Sequence, residues 1–178
     1  TNPMFVLIYM SKIFYHGSDD YLPPGTKLRN CVDYEGKWGA AGFYRGLEYH
    51  RPNKFTAHKD SVFLVKELED LEYAGGGEEY TFLVVPKGDV TKHDMYWSTK
   101  VTELMDSGFC VESDVVKEAA LKYWSGEASE DPAWEYMCKE AIVLRVFDWD
   151  VDSSLIKDAR ADLEQKIILR REQTLCPS

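Results

Sequence analysis

The chain has 178 residues, of which 44% are hydrophobic and 29% charged, values that are ordinary for one globular domain with a core. Its formal net charge of −10 at pH 7 repels phosphate backbones, which disfavours tight, non-specific binding to nucleic acid. The longest apolar run, residues 4–10, is too short to span a bilayer. We therefore expect no membrane partner.

The cysteines occur singly along the chain, with no CxxC pair and no histidine at zinc-ligand spacing. This pattern does not indicate structural zinc and favours reduced thiols in a cytoplasmic protein. Residues 1–10 lack the basic start of a secretory signal. They form either a short strand or, in part, foreign residues ahead of Met10.

The first elements alternate between short strands and irregular segments. Residues 12–17 predict a strand, and the Pro-Pro-Gly of 23–25 predicts a turn. Residues 35–54, rich in glycine and aromatic side chains, predict a loop with a possible helical turn. A strand is expected over 60–65 because the segment is β-branched and aromatic. Residues 66–74 consist of helix formers that stop at a glycine run.

The second half contains the clearest periodic patterns. Residues 79–86 predict a strand, whereas 89–110 predict irregular chain with a possible helical turn. Residues 113–124 predict a helix with its start signal at Ser113, and 140–151 predict a strand. Residues 152–173 predict an amphipathic helix. Scattered strands without a regular βαβ alternation favour an α+β domain.

Basic side chains are concentrated between Arg45 and Lys59, where six Arg, Lys or His residues accompany one acidic residue, Glu48. Two interpretations stay open for this segment in a chain that is acidic as a whole. It is either a solvated loop or a contact for a polyanion.

Three blocks of sequence carry the functional prediction. "YHGS" at 15–18 ends a strand, "VFLVKELEDLEY" at 62–73 is a strand followed by helix formers and a tyrosine, and "KEAIVLRV" at 139–146 begins an apolar strand with a glutamate. In this order they resemble the ADP-ribosyltransferase superfamily, on the branch of diphtheria toxin, the poly(ADP-ribose) polymerases and the rifamycin ADP-ribosyltransferases, with a phage or bacterial member as one form. The resemblance covers residues 13–148.

The resemblance implies a fold and a division of the chain. It implies a split pair of small, mainly antiparallel sheets around an NAD cleft, with a catalytic domain over 11–150. A helical extension over 151–178 is expected to pack on that domain, or alternatively to meet a partner. Its apolar stripe consists of Leu155, Ala159, Leu163 and Ile167.

The first block is implied to bind the NAD substrate. Gly17 would hold the nicotinamide carboxamide through its backbone, a contact that a Cβ could obstruct. His16 would hydrogen-bond a ribose hydroxyl and fix the bend of the dinucleotide. Ser18 is placed with them among the NAD-binding residues. From the residues alone, His16 could instead cap a strand edge.

The other two blocks are implied to supply an aromatic clamp and a carboxylate. Tyr73 would stack on the nicotinamide ring, although a tyrosine at a helix end is as often a core residue. The first clamp position of the family falls on Phe63 or, with a shift of one residue, on Val62; Phe63 could still stack, whereas Val62 could only pack. Glu140 would bind the ribose 2′-hydroxyl and stabilise positive charge at the anomeric carbon.

Two departures from the family pattern affect the substrate. Asp70 stands where many relatives carry a serine that binds the carboxamide, and Cys138 stands where arginine-modifying relatives keep Glu or Gln. Arginine is therefore disfavoured as acceptor. The predicted activity is transfer of one ADP-ribose unit from NAD to a protein, nucleic acid or small molecule, with release of nicotinamide. An NAD glycohydrolase and a non-catalytic module that binds NAD or ADP-ribose are the alternatives.

Overall fold

The computed structural model of the protein describes residues 12–29, 36–37, 39–74, 77 and 79–175. It confirms the predicted α+β class, since two antiparallel sheets are combined with several helices. Residues 1–10, for which a strand or a foreign segment was predicted, lie outside the described residues. The strands are β1 Phe14–Ser18, β2 Lys27–Arg29, β3 Val62–Leu64, β4 Tyr80–Lys87, β5 Thr91–Asp94, β6 Trp134–Cys138 and β7 Glu140–Val146. The helices are α1 Gly42–Tyr49, α2 Met95–Asp106, α3 Asp114–Ser125 and α4 Trp149–Leu175, with 3₁₀ segments at His58–Asp60 and Leu68–Tyr73.

The first sheet has four strands in the order β1-β4-β7-β2, and the second has three in the order β3-β6-β5. All neighbouring pairs are antiparallel. The edges of the two sheets meet where Tyr15 of β1 and Val65, just after β3, exchange backbone hydrogen bonds of 2.8 and 3.0 Å. The chain also passes from β6 to β7 through the single residue Lys139, which transfers it from one sheet to the other.

Two apolar clusters place the second sheet in the middle of three layers. Val62 and Leu64 of β3 pack against residues of the first sheet, including Phe82 and Val143. Phe63, between them, points to the opposite face because side chains alternate along a strand. It joins a cluster formed mainly by α1, α2 and α3. That cluster consists of Leu47, Phe63, Val101, Val116, Ala119, Ala120, Tyr123, Trp124 and Met137.

Helix α1 occupies the segment for which a loop with a possible helical turn was predicted. Its buried residues are Tyr44, Gly46 and Leu47, and Leu47 accepts a 2.8 Å hydrogen bond from the Trp124 indole through its carbonyl oxygen. The helical turn that was predicted as possible is a helix of eight residues. Its length was not predicted because glycine and aromatic residues have low helix propensity, whereas packing against α2 and α3 stabilises the helix.

Gly46 allows the close approach of α1 to α2. A Cβ at this position would overlap Cγ1 of Val101 and would lie 3.3 Å from Sδ of Met105. We expect Gly46→Ala to lower the free energy of unfolding by about 1–3 kcal/mol, because the added methyl overpacks a buried contact. Urea denaturation measures this.

Gly42→Ala, in the same helix, is the matched control for Gly46→Ala. Its Cβ would meet nothing closer than 3.6 Å, an ordinary contact. It should leave stability unchanged or raise it, since alanine favours a helix. Equal losses of unfolding free energy in the two variants would show that the close contact of Gly46 with α2 is not what makes its replacement destabilising.

The segment 89–110, predicted to be largely irregular, instead contains β5 and α2. The buried carboxylate of Asp94 caps α2, accepting a 3.0 Å hydrogen bond from the Tyr96 N–H. It also accepts backbone hydrogen bonds of 2.7 and 3.1 Å from Ser129 and Ala133. Because this one side chain joins a strand, a helix and a distant loop, local sequence pattern could not reveal the element boundary.

Helix α3 follows the predicted start at Ser113 and ends at Gly126, which adopts the left-handed conformation with φ +74°. Helix α4 confirms the predicted C-terminal helix. The chain divides into two compact units at Val146–Phe147. Packing of the extension on the domain stays a prediction, and the side chains of its apolar stripe, 155, 159, 163 and 167, lie outside the described part. No helix among the described residues is long and apolar enough to cross a membrane.

Candidate functional site

His16 lies in β1 and is tied to the neighbouring sheet. Its Nδ1 lies 2.9 Å from the Phe63 carbonyl oxygen, so Nδ1–H donates to that oxygen. Burial lowers the pKa of the imidazole, and this hydrogen bond opposes the shift only in part. His16 is therefore a neutral ring that connects β1 to β3.

Gly17 and Ser18 make close backbone contacts in the structure. A Cβ at Gly17 would overlap the carbonyl oxygen of Gly77, so residue 77 covers this side of the strand. The Ser18 hydroxyl accepts a 3.1 Å hydrogen bond from the Asp20 N–H. These contacts explain the glycine without a ligand, and the carboxamide-binding role of Gly17 stays a prediction.

Glu140 begins β7 and lies between two cations on neighbouring strands. Its Oε2 accepts a 2.7 Å hydrogen bond from Nε of Arg29 on β2, and its Oε1 lies 3.5 Å from Nζ of Lys87 on β4. The hydrogen bond from Arg29 is the main cause that holds the pKa of this carboxyl below its usual range. Glu140 is thus a cross-strand ion-pair partner.

The structure does not bring His16 and Glu140 together. On β4, His16 is in register with Phe82, whereas Glu140 is in register with Lys87. Five residues along a strand correspond to about 16 Å, and an odd separation places the two side chains on opposite faces of the sheet. His16 shares the buried face with Phe82, and Glu140 shares the other face with Lys87.

The structure does bring the two predicted clamp residues together. A cavity of about 300 Å³ is lined by both Phe63 and Tyr73, whose side chains come from β3 and from the end of a 3₁₀ segment. Val62, the alternative clamp position, faces the core between the sheets. The Tyr73 side chain is 63% exposed, so it lies at the mouth of this cavity and not in the core.

The 3₁₀ segment that carries Tyr73 is fixed to β6 by Asp70. The Asp70 carboxylate accepts a 3.3 Å hydrogen bond from the Trp134 N–H. The residue that departs from the serine of the family pattern therefore has a structural role in positioning Tyr73.

A buried carboxyl that the sequence analysis did not select, Glu135, also lines the cavity. It lies on β6 and faces the helices together with Met137, two residues further along the strand. Burial raises the pKa of Glu135, although its hydrogen bond from Tyr123 opposes the shift. The only local signal was an acidic residue between two aromatic neighbours, Trp134 and Tyr136.

Glu135 is the end of a chain of hydrogen bonds. The Tyr123 hydroxyl lies 2.5 Å from Oε1 of Glu135 and 3.1 Å from Nε2 of His58. His58 Nδ1 lies 2.5 Å from Oε1 of Glu48, which also accepts a 2.8 Å hydrogen bond from the His58 N–H. We refer to these four side chains, Glu48, His58, Tyr123 and Glu135, as the buried network.

Glu48 is the anionic end of the buried network. Burial by itself would raise the pKa of this carboxyl, but hydrogen bonds from His58 and Arg51 outweigh that effect and lower the pKa to about 2. Arg51 donates to Oε2 of Glu48 at 2.9 Å. Glu48 therefore carries a negative charge at neutral pH.

Part of the basic segment surrounds a second hollow of about 390 Å³, with Arg45, Arg51 and Lys59 in its wall. Glu48 is in the same wall and is the partner of Arg51. The structure thus places several of the predicted basic side chains together. Polyanion contact at this hollow stays a prediction.

Comparisons of the chain with family models and with curated proteins returned no match. The resemblance to ADP-ribosyltransferases therefore rests on the three sequence blocks. What the structure adds is a cavity lined by both predicted clamp residues, Phe63 and Tyr73, and by the buried carboxyl of Glu135.

Proposed function

We propose that the chain binds NAD with the nicotinamide-ribose half in the 300 Å³ cavity and transfers ADP-ribose to an acceptor, releasing nicotinamide. The volume is at the lower end of the range for small-molecule sites, so the adenosine half would extend outside. The acceptor is a protein, a nucleic acid or a small molecule. We also propose an ADP-ribosyltransferase-like split of the two sheets and a cytoplasmic location.

The observation that carries this proposal is the joint presence of Phe63, Tyr73 and Glu135 around one cavity. Cleavage of the C1′–N1 bond leaves positive charge on the ribose and a neutral leaving ring. A carboxylate near the ribose and an aromatic grip on the ring are what that reaction requires. The identity of the substrate as NAD rests on the sequence resemblance.

This arrangement assigns to Glu135 the role that the resemblance assigns to Glu140. Both glutamates lie in the extended chain of β6 and β7, but only Glu135 lines the cavity with the clamp residues. The roles of His16, Gly17 and Ser18 in NAD binding remain predictions that variants of the same assay address. For the carboxylate, comparison of Glu135→Gln with Glu140→Gln decides between the residue at the cavity and the residue implied by the resemblance.

The direct test incubates purified protein with NAD and a cell lysate, and follows nicotinamide release together with ADP-ribose labelling. We expect labelling by the native chain.

Tyr73→Ala should raise KM for NAD about 2- to 10-fold, which corresponds to the loss of one aromatic contact of about 0.5–1.5 kcal/mol. Because Tyr73 is largely exposed, this variant should keep its thermal stability.

Phe109→Ala is the control for Tyr73→Ala, since it removes an aromatic side chain that is 47% exposed and does not line the cavity. It should leave KM unchanged. Equal KM values for native protein and Tyr73→Ala would contradict the proposed clamp. Absence of nicotinamide release under all conditions would contradict the enzymatic function.

Two other outcomes correspond to the alternative functions. Nicotinamide release without a labelled product indicates a glycohydrolase, with water as acceptor. Binding of NAD without release indicates a non-catalytic module, which is favoured by the separation of His16 from Glu140 and by the ion pairs of Glu140 with Arg29 and Lys87.

A further inference from the structure

The buried network connects a cavity-lining carboxyl, Glu135, to a permanently charged one, Glu48. Glu48 can only accept hydrogen bonds at neutral pH, so Nδ1 of His58 must carry a proton and donate a hydrogen bond to the Glu48 carboxylate. This fixes the state of one ring nitrogen. The protons that can still change position are those on Nε2 of His58, the Tyr123 hydroxyl and Glu135.

When these three groups share one extra proton, two arrangements of the protons satisfy both the His58–Tyr123 and the Tyr123–Glu135 hydrogen bonds. In one, neutral His58 accepts from the Tyr123 hydroxyl, whose oxygen accepts from protonated Glu135. In the other, the His58 imidazolium donates to the Tyr123 oxygen, and Tyr123 donates to ionised Glu135. The distances of 3.1 and 2.5 Å are compatible with both arrangements. Two short proton shifts interconvert them.

We propose that Glu48, His58, Tyr123 and Glu135 form a proton relay that carries a proton from the cavity to His58. The inference rests on the proposed function for its catalytic step. As the C1′–N1 bond of NAD breaks, its electron pair leaves with nicotinamide, and a lone pair of the acceptor forms the new bond to C1′. The acceptor's proton moves to Glu135, the Glu135 proton to the Tyr123 oxygen, and the Tyr123 proton to Nε2 of His58. Glu48 stabilises the resulting imidazolium.

Other charged and titratable groups around the relay affect its proton affinity in known directions. Arg51 donates to Glu48 and partly neutralises it. His93 stacks on the Tyr123 ring at 4.8 Å, and burial lowers the pKa of His93 to about 4, so it adds no charge next to the relay at neutral pH. Glu72 and Tyr73 line the cavity on the side of Glu135.

If His58 and Glu135 share one proton through Tyr123, the two groups titrate in steps that belong to the pair and not to either residue alone. The experiment follows the ring nitrogens of His58 by NMR and the carboxyl band of Glu135 by infrared spectroscopy, across a pH titration of the protein without NAD. Glu135→Gln identifies the infrared band. We expect His58 and Glu135 to report the same midpoints. Unrelated midpoints in the native chain would overturn the relay.

Two variants test the connection and the charge. Tyr123→Phe removes the only hydroxyl between His58 and Glu135 in the buried network, and should give the two groups separate midpoints. Glu48→Gln keeps an oxygen that accepts from His58 Nδ1 but removes the charge, and should lower the common midpoint. Glu118→Gln, an exposed ion-pair partner of Lys122 on α3, is the control and should leave it unchanged. A midpoint that Glu48→Gln leaves unmoved would overturn the role of Glu48.

The spectroscopic result does not depend on NAD turnover, so the two proposals fail separately. A common midpoint in a protein that releases no nicotinamide supports the relay and contradicts the transferase. Separate midpoints in a protein that labels an acceptor contradict the relay alone. In an active enzyme, the rate of transfer should rise with pH through the common midpoint. The pH at which the rate rises should differ between Tyr123→Phe and the native chain.

Discussion

Glu135→Gln is expected to reduce nicotinamide release roughly 10²- to 10⁴-fold, the range for loss of a positioned acid–base group. The amide keeps the shape of the side chain and an oxygen that accepts from the Tyr123 hydroxyl. It cannot take a proton from the acceptor or carry a negative charge near the developing oxocarbenium ion. The loss should therefore appear in kcat, measured by steady-state release of nicotinamide at saturating NAD.

Stability and the second glutamate provide the controls for this result. Because the amide has the shape of the carboxyl and keeps an oxygen that accepts from the Tyr123 hydroxyl, Glu135→Gln should leave the melting temperature close to native. Glu140→Gln weakens ion pairs with Arg29 and Lys87 on the other sheet and should leave kcat within a few-fold of native. If Glu140→Gln abolishes release and Glu135→Gln does not, the carboxylate is the one implied by the sequence motif, and the cavity is not the catalytic site.

Acidification from pH 6.5 to pH 4 is expected to remove about 3 kcal/mol of folding free energy through His93 alone. His93 is completely buried between Tyr123 and Thr91, with its Nδ1 2.9 Å from the Tyr123 carbonyl oxygen and its Nε2 2.8 Å from the Thr91 hydroxyl. Burial lowers its pKa from 6.5 to about 4, although the hydrogen bond to Tyr123 opposes the shift.

The direction follows from proton binding. Between pH 6.5 and 4 the unfolded chain protonates this histidine while the folded chain does not, so the unfolded state gains stability as pH falls. The stabilisation that His93 contributes is complete above pH 6.5 and is lost below about pH 4. His16 acts in the same direction, because burial lowers its pKa as well. Glu135 acts in the opposite direction, because its raised folded pKa adds stability at low pH that is lost as pH rises.

Urea denaturation at a series of pH values, on native protein and on His93→Gln, separates these contributions. The variant should be less stable than native protein at pH 7. Its stability should change less between pH 6.5 and 4, because the contribution of His93 is absent while those of His16 and Glu135 are retained. Parallel profiles for the two proteins would show that His93 does not hold its neutral state against acid. Glu48 affects a lower range, from pH 4.5 to about 2.

The strongly patterned elements could be predicted from the sequence. β4 and β7 are apolar and β-branched, and α3 repeats apolar residues at helical spacing, so local preference and tertiary packing agree in these three elements. The helix of α4 was also predicted from its sequence. The 3₁₀ segment at Leu68–Tyr73 occupies most of the helix predicted over 66–74. β5 and α1 were missed because their residues are polar or glycine-rich, and distant contacts, such as those of Trp124 with Leu47, stabilise them.

The candidate site was predictable only in its aromatic part. Phe63 and Tyr73 were selected as a clamp because the resemblance to the ADP-ribosyltransferases implies it, and both side chains line one cavity in the structure. Glu135 was missed because its surroundings come from Tyr123, His58 and Glu48, which are 12 to 87 residues away in sequence. No pattern near residue 135 reports those partners.

The α+β class and the strongest strands and helices follow from the amino-acid order alone, because each depends on local periodicity. The candidate aromatic pair follows instead from the resemblance of the three sequence blocks to the ADP-ribosyltransferases. Which glutamate faces a cavity depends on how β6 and β7 pair and on which layer covers each face. Side chains alternate along a strand, and the chain changes sheets at Lys139, so Glu135 is enclosed by helices while Glu140 joins Arg29 and Lys87. Only tertiary packing decides which glutamate is in which environment, and the environment in turn determines how readily each carboxyl binds a proton.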